Sequence, residues 1–405
     1  MKVLSPATQK YIEEHRNDDV RRLALNPGAA EGVDMGEALT QIEGRQVLSL
    51  KVPLIASTQG FRYPHHLPLE QCSCQETARY KRELVAKRVE RRGLMVDLTG
   101  GLGVDFCFMA PLFTQKVYVE RQEELCDLAT HNFPLLGLGD ARVVQGDGIG
   151  ELRRMGTADF LFLDPARRNG AGRKVVLIED CEPNVALLSD ELLKRSPHVL
   201  IKLSPMLDLQ SALRQLPSVQ SLHVVAVRGE VKEVLVAMER DWHDEAHVVC
   251  ADIQGEEERI FSFRLSDEAS AVCLYASCVK KYLYEPSAAL LKAGTFRLLA
   301  VRYGLTKLAP NSHLYTSDEL VEQFPGRVFE VENCCGFGKK ELRELASRYA
   351  EGANLTVRNF PSTVAELRRR LRLKEGGDAY LFATTLNDGS RVMVGCRKRV
   401  KAPLR

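Results

Sequence analysis

The chain has 405 residues, which at roughly 150 residues per domain implies two to four domains. Apolar residues make up 45% and charged residues 27%, with 29 Gly and 17 Pro, a globular composition that excludes collagen-like and wholly disordered chains. The 56 Lys and Arg against 54 Asp and Glu leave a net charge of +2, so no global field draws the chain to nucleic acid and any basic footprint must be local.

No run approaches the roughly 18 consecutive apolar residues of a membrane span. Met1-Lys2-Val3-Leu4-Ser5-Pro6 leads into a polar helix signal, not an apolar secretory segment, so no membrane association and a cytoplasmic location are expected. Eleven cysteines, scattered and odd in number, fit free thiols in a reducing compartment. His65-His66 lies near Cys72-Ser73-Cys74, and Cys334 adjoins Cys335, but neither cluster has paired C-x-x-C spacing, and no metal site is expected.

Residues 1 to about 90 read as helical, with Ser5 as cap and Pro6 as first helical residue, and with breaks at Asn26-Pro27-Gly28 and around Tyr63-Pro64. From Leu94 the texture changes to short apolar runs separated by helical patterns, which implies βαβ units and a parallel sheet. The expected strands are Leu94 to Thr99, Lys116 to Glu120, Ala141 to Gln145, Asp159 to Asp164 and His198 to Leu203, each followed by a turn and a helix. After a helix around Leu207 to Leu216, the runs Val219 to Arg228 and Val231 to Met238 are separated by Gly229-Glu230 and should pair as an antiparallel hairpin. A parallel sheet ending in a hairpin is unusual for dinucleotide-binding folds and is similar to the class I methyltransferase sheet. Val248 to Ile253 and Ile260 to Leu265 read as two more strands. From about Ser266 the pattern is one or two small α+β domains, with helices at Ser287 to Lys292 and Glu341 to Tyr349 and strands at Tyr380 to Thr384 and Arg391 to Cys396.

The first strand runs into Asp97-Leu98-Thr99-Gly100-Gly101-Leu102-Gly103-Val104-Asp105. Glycines there let the backbone turn sharply and approach a ligand, and free N–H groups at the helix start bind polar groups. A dinucleotide fingerprint would be G-x-G-x-x-G, but counting from Gly101 and Gly103 the third position is Phe106. S-adenosylmethionine is the other candidate: Asp97 at the strand end suits its ammonium, and Thr99, Gly101 and Gly103 form the loop around it. Glu120, ending the second strand, is placed for the ribose hydroxyls, and Asp147, after the third, for the adenine amino group. The alternative for each acid is a helix N-cap or turn role. The fourth strand ends in Asp164-Pro165-Ala166-Arg167-Arg168. A carboxylate there, with a proline stiffening the turn, can orient an acceptor for methyl transfer, in which positioning dominates catalysis. Arg167 and Arg168 either neutralise a substrate phosphate or pair with Asp164.

The chain resembles the bacterial family of class I S-adenosylmethionine-dependent methyltransferases whose C-terminal part carries a THUMP-like domain, usually described as RNA methyltransferases. The resemblance is carried by Leu69-Glu70-Gln71-Cys72-Ser73 with Thr77-Ala78-Arg79-Tyr80-Lys81, the Asp97 to Asp105 loop, Asp164 to Arg167, Gly229-Glu230-Val231-Lys232-Glu233, Tyr284-Glu285-Pro286-Ser287, Gly304 to Leu308 and Asn311 to Tyr315. It implies an α/β fold: a Rossmann-like seven-stranded class I methyltransferase sheet with a helical N-terminal region (1–90), a catalytic domain (91–265), a small ferredoxin-like domain (266–327) and a THUMP-like domain (328–405). It further implies S-adenosyl-L-methionine as cofactor, structured RNA (tRNA or rRNA) as partner, and a cofactor contact from Gln71. The Asp-Pro-Ala-Arg turn also resembles the Asp-Pro-Pro-Arg turn of RNA uracil C5 methyltransferases. Those need a cysteine nucleophile after the fifth strand, where this chain has Ile201-Lys202-Leu203-Ser204-Pro205, so a nitrogen or oxygen acceptor is expected, nitrogen first. Lys202 either contacts a phosphate, stabilises charge or snorkels from the strand to the surface. Basic runs at Arg368 to Lys374 and Arg397 to Lys401 suit phosphate contact, and sparse aromatics favour a folded RNA over a single-strand stacking platform.

Overall fold

The computed structural model describes residues 3–25, 31–167 and 177–399. It comprises two compact units, residues 1–227 with 232–246 and residues 228–231 with 247–405.

The first unit opens with helices α1 (Pro6–Glu14), α2 (Val20–Leu25), α3 (Met35–Lys51), α4 (Pro53–Ala56), α5 (His66–Gln71) and α6 (Gln75–Arg88). Ser5 caps α1, its hydroxyl accepting from Thr8 N at 3.1 Å, with Pro6 at the first helical position as expected. The break expected at Asn26-Pro27-Gly28 lies outside the described residues. Ala38 and Ile42 of α3 pack on Ile12 of α1, while Leu48 joins a core with Ile55, Phe61, Tyr63, Val104 and Phe108. α6 is pinned to the sheet by a polar link, Tyr80 Oη to His223 Nδ1 and His223 Nε2 to Ser221 Oγ, both 2.7 Å. Burial, with Arg88 nearby, pushes the His223 imidazole down to about 3, so the link is neutral.

The sheet follows: β1 (Leu94–Asp97), α7 (Val104–Met109), β2 (Gln115–Glu120), α8 (Glu123–Leu135), β3 (Arg142–Gln145), α9 (Gly148–Arg154) and β4 (Phe160–Leu163). Then come two-residue strands β5 (Ala166–Arg167) and β6 (Cys181–Glu182), α10 (Val185–Arg195), β7 (His198–Leu203), α11 (Leu209–Gln215), β8 (Val219–Val227) and β9 (Glu230–Glu239). The order is β8-β9-β7-β4-β1-β2-β3. β1 lies parallel to β2 and β4, β2 to β3 and β4 to β7, whereas β9 runs antiparallel to β7 with Ile201 opposite Val236. The second hairpin strand thus inserts between β7 and β8. β4 (Phe-Leu-Phe-Leu) is buried throughout, as a central parallel strand covered on both faces must be.

One connection departs from expectation. β4 is followed not directly by a helix but by β5, which pairs antiparallel with β6, Arg167 opposite Cys181, before α10 begins. The other strands begin or end within two residues of expectation, except Ile260 to Leu265, which is the end of a longer strand.

In the second unit β10 (His247–Gln254) and β11 (Glu257–Arg264) form an antiparallel pair, followed by α12 (Leu265–Ser270). β12 (Tyr282–Pro286), α13 (Ala288–Ala293), α14 (Arg297–Tyr303), β13 (Thr306–Lys307), β14 (Tyr315–Ser317), β15 (Gly326–Gly336), α15 (Lys339–Arg348), β16 (Asn354–Arg358), α16 (Val364–Leu371), β17 (Ala379–Thr385) and β18 (Arg391–Lys398) complete it. One sheet, ordered β13-β14-β12-β15-β18-β17-β16, runs through it, so the expected small α+β elements share a sheet. Buried Glu285 on β12 accepts from Arg327 on the neighbouring strand β15 (2.7 Å) and from Arg358 on β16 at the far edge of the sheet (2.9 Å). Among the described residues no helix is long and apolar enough to cross a membrane.

Candidate active site

A cavity of about 1010 Å³ opens at the carboxyl ends of β1, β2, β3, β4 and β7, where open α/β sheets bind ligands. Gln71, Asp97, Thr99, Gly101, Gly103, Glu120, Asp147, Asp164 and Pro165 all line it. The side chain of Arg167, together with Arg168, lies outside the described residues.

The loop after β1 owes its shape to its glycines. Gly101 and Gly103 have φ of +56° and +79°, left-handed values that a side chain disfavours. At Gly100 a Cβ would sit 2.2 Å from Tyr118, so the loop can lie against that ring only without one. Glu120 fixes the loop from below: Oε2 accepts from Gly101 N at 2.8 Å and Oε1 from Gln122 N at 2.9 Å. Gly148 brings the start of α9 so close to Leu98 that a Cβ would lie 2.0 Å from its carbonyl oxygen.

Asp97 is 1% exposed, and among the described residues its carboxylate has one hydrogen bond, Oδ1 accepting from Thr99 N at 3.0 Å. Burial pushes its carboxyl well above the ordinary carboxylate range, and Asp105, Asp164 and Glu120 add to the push against the Thr99 N–H. No cation among the described residues pairs with it. A buried acid facing a cavity without a counterion is a donor set suited to the ammonium of S-adenosylmethionine, and the residues fit that cofactor.

Asp147 does what a helix-cap acid does: Oδ2 accepts from Gly150 N at 2.8 Å at the start of α9. Its Oδ1 also accepts from Arg121 Nε at 3.1 Å, and Arg121 reaches Glu182 at 3.3 Å. The Arg121 hydrogen bond holds the Asp147 carboxyl below the usual range, outweighing its desolvation. Thr99 Oγ1 accepts from Asp164 N at 2.6 Å, so its hydroxyl braces the β4 turn from the β1 loop.

Asp164 is paired with a lysine from the neighbouring strand β7. Its Oδ2 accepts from Lys202 Nζ at 2.6 Å. Lys202 therefore does not snorkel: its side chain is 12% exposed and points along the sheet edge to Asp164 and Asp105, the latter at 3.6 Å. Behind it, Asp105 accepts from Ser73 Oγ at 2.8 Å and pairs with Lys81 at 3.1 Å. Lys81, fully buried in α6, contacts both carboxylate oxygens of Glu233 on β9, Oε2 at 2.7 Å. Burial opposes charge on Lys202, but Asp164, Asp105 and Glu233 outweigh it and hold the ammonium above the ordinary lysine range.

Sequence reasoning singled out Lys81 and Glu233 only as carriers of resemblance, and Asp105 only as part of a loop. A signal was present. Lys81 falls on the α6 face that also carries Thr77, Ala78, Leu84 and Val85, and Glu233 opens the apolar run of β9. Charged residues on core faces require partners.

Two models of known domains match the second unit: a ferredoxin-like domain over residues 282–325 and a THUMP domain-like module over 326–398. Two curated relatives, uncharacterized S-adenosylmethionine-dependent methyltransferases from Mycobacterium tuberculosis strains CDC 1551 and H37Rv, are each 26% identical over 324 residues, covering 80% of this chain and 84% of theirs. A crystal structure of a methyltransferase candidate from Porphyromonas gingivalis W83 superposes with a TM-score of 0.87 at 37% identity, covering 97% of this chain and 98% of that one. With this sheet order and this cavity, the chain belongs to the class I S-adenosylmethionine-dependent methyltransferases that carry a C-terminal THUMP-like domain.

Proposed function

We propose that this enzyme methylates a nitrogen of a base in structured RNA, tRNA or rRNA, with Asp164 orienting the acceptor. The observation that carries this reading is the Asp164 carboxylate itself: it is 38% exposed beside the cavity, with Oδ2 anchored by Lys202 and no described partner on Oδ1. Asp97 binds the ammonium of S-adenosylmethionine, Glu120 its ribose hydroxyls and Asp147 its adenine edge, while Thr99, Gly101 and Gly103 shape the loop and Gln71 closes the wall. The cofactor supplies an electrophilic methyl whose transfer breaks a C–S bond, forms an N–C bond and leaves a neutral thioether. Asp164 accepts a hydrogen bond from the acceptor N–H, faces the positive charge that grows on that nitrogen, and takes the released proton. Pro165 stiffens the turn, and Arg167 is assigned to the substrate side.

A nitrogen acceptor is supported by the state of the cavity's cysteine. Burial pushes the Cys72 thiol up to about 11 despite Lys51 and Lys202, so it is a poor nucleophile for attack on a pyrimidine ring. RNA is supported by the THUMP-like module and by exposed Arg369, Arg370, Arg372 and Lys374. The working division is 1–90, 91–265, 266–327 and 328–405, with the first two parts building the catalytic cavity and the last two presenting RNA.

The test is nucleoside mass spectrometry of RNA from cells lacking the gene. One N-methylated nucleoside should disappear, returning with the wild-type gene but not with Asp164→Ala. An unchanged nucleoside profile would overturn the RNA assignment.

A further inference from the structure

A carboxylate that must meet an acceptor from one side is useful only if its other side is fixed. The Asp164 main chain is fixed by Thr99, but among the described residues its side chain is held by one group, Lys202 Nζ at 2.6 Å from Oδ2. Lys202 is itself not free to rotate away. Asp105 lies 3.6 Å from the same ammonium, Asp105 is locked by Ser73 and Lys81, and Lys81 is locked by Glu233. The charges alternate along the row Asp164, Lys202, Asp105, Lys81, Glu233, drawing on the β4 turn, β7, α7, α6 and β9. All but Asp164 are nearly closed to solvent, with side-chain exposures of 12%, 9%, 0% and 3% from Lys202 to Glu233.

A row built only for stability could have ended at Asp105, where Lys81 already provides a counterion. Instead a second lysine extends it to the cavity edge and to the one carboxylate that faces the acceptor. The ammonium stays protonated because three carboxylates surround it, so it is no proton acceptor for the reaction.

We propose that Lys202 is a positioning residue for methyl transfer: it clamps Oδ2 of Asp164 so that Oδ1 is presented to the acceptor, and Asp105, Lys81 and Glu233 hold the clamp. This inference rests on the reading of Asp164 given above. It assigns Lys202 no contact with substrate or cofactor and no proton to move.

The test is a double-mutant cycle on the full-length enzyme, using tritiated methyl transfer into whichever fraction of gene-deleted cell extract accepts label, together with calorimetric S-adenosylmethionine binding. Lys202→Met should lower turnover on the order of 100-fold, the scale of a misplaced reacting group, with cofactor affinity within threefold of wild type. Asp164→Ala should cost at least as much, and the double variant no more than Asp164→Ala alone, because Lys202 acts through Asp164. Wild-type turnover in Lys202→Met, or losses that multiply in the double variant, would overturn the clamp while leaving Asp164 in place. Wild-type turnover in Asp164→Ala would overturn the acceptor reading and the clamp with it. Should Lys202→Met not fold, Lys202→Arg carries the same cycle, with a smaller loss that again vanishes on the Asp164→Ala background.

Discussion

Asp97 shows how a ligand site stores instability. Its carboxyl is raised by burial, so the unliganded protein binds that proton more tightly folded than unfolded. The stability it contributes is full at acid pH, below the ordinary carboxylate range, and is lost as pH rises through the raised value. Asp97→Asn should therefore melt above the wild type at pH 8 without ligand, match it more closely at pH 4, and gain nothing from added S-adenosylmethionine, all read by thermal shift. Lys81 makes the opposite case. Replacing it with Met strands Glu233 as a buried carboxylate without a close cation and leaves Asp105 only Lys202 at 3.6 Å, and denaturant unfolding should report a loss of roughly 3–5 kcal/mol. The acids at strand ends were legible because strand pattern alone puts Asp97, Glu120 and Asp164 at one edge. The partners of the lysines between them were not: Lys202 stood out at the strand edge, but the Lys81–Glu233 contact joins residues 152 apart and only the fold brings them together.

At the scale of elements, the glycines set what each turn tolerates. Gly148 begins α9 beneath Leu98, with no room for a Cβ, whereas a Cβ on neighbouring Gly146 meets nothing within 4 Å. Gly148→Ala should cost about 1–3 kcal/mol and weaken cofactor binding, and Gly146→Ala should stay within about 0.5 kcal/mol of wild type, both by denaturant unfolding. The hairpin after α11 was readable because a short glycine-containing turn separates two long apolar runs, but the turn lies one residue earlier than expected: it is Arg228-Gly229, both left-handed at φ +53° and +81°, and Glu230 already opens β9. The β5–β6 pair was not readable, because two-residue strands carry no periodicity. The sheet of the second unit was hidden for a related reason, since β12 pairs with β15, and β15 with β18, across long stretches of chain that no local pattern links.

For the whole molecule, a net charge of +2 says nothing about partners, and the basic runs had to be sorted residue by residue. Arg368 is occupied, donating to the carbonyls of Lys374 and Ala353, and Arg397 and Arg399 pair with Glu332 and Glu330. Arg369, Arg370, Arg372 and Lys374 remain exposed, with Arg370 also resting on the Phe337 ring at 4.4 Å. Changing these four to Gln should weaken RNA binding and flatten its salt dependence by roughly 0.7–0.9 for each phosphate that is no longer neutralised, read from affinity against salt concentration. The central claim is that the cavity transfers methyl to RNA with Asp164 at the acceptor. Its most direct test is incubation of the purified enzyme with tritiated S-adenosylmethionine and fractionated extract of cells lacking the gene. The account predicts label in an RNA fraction that is absent with Asp164→Ala; label confined to protein or small molecules would contradict it.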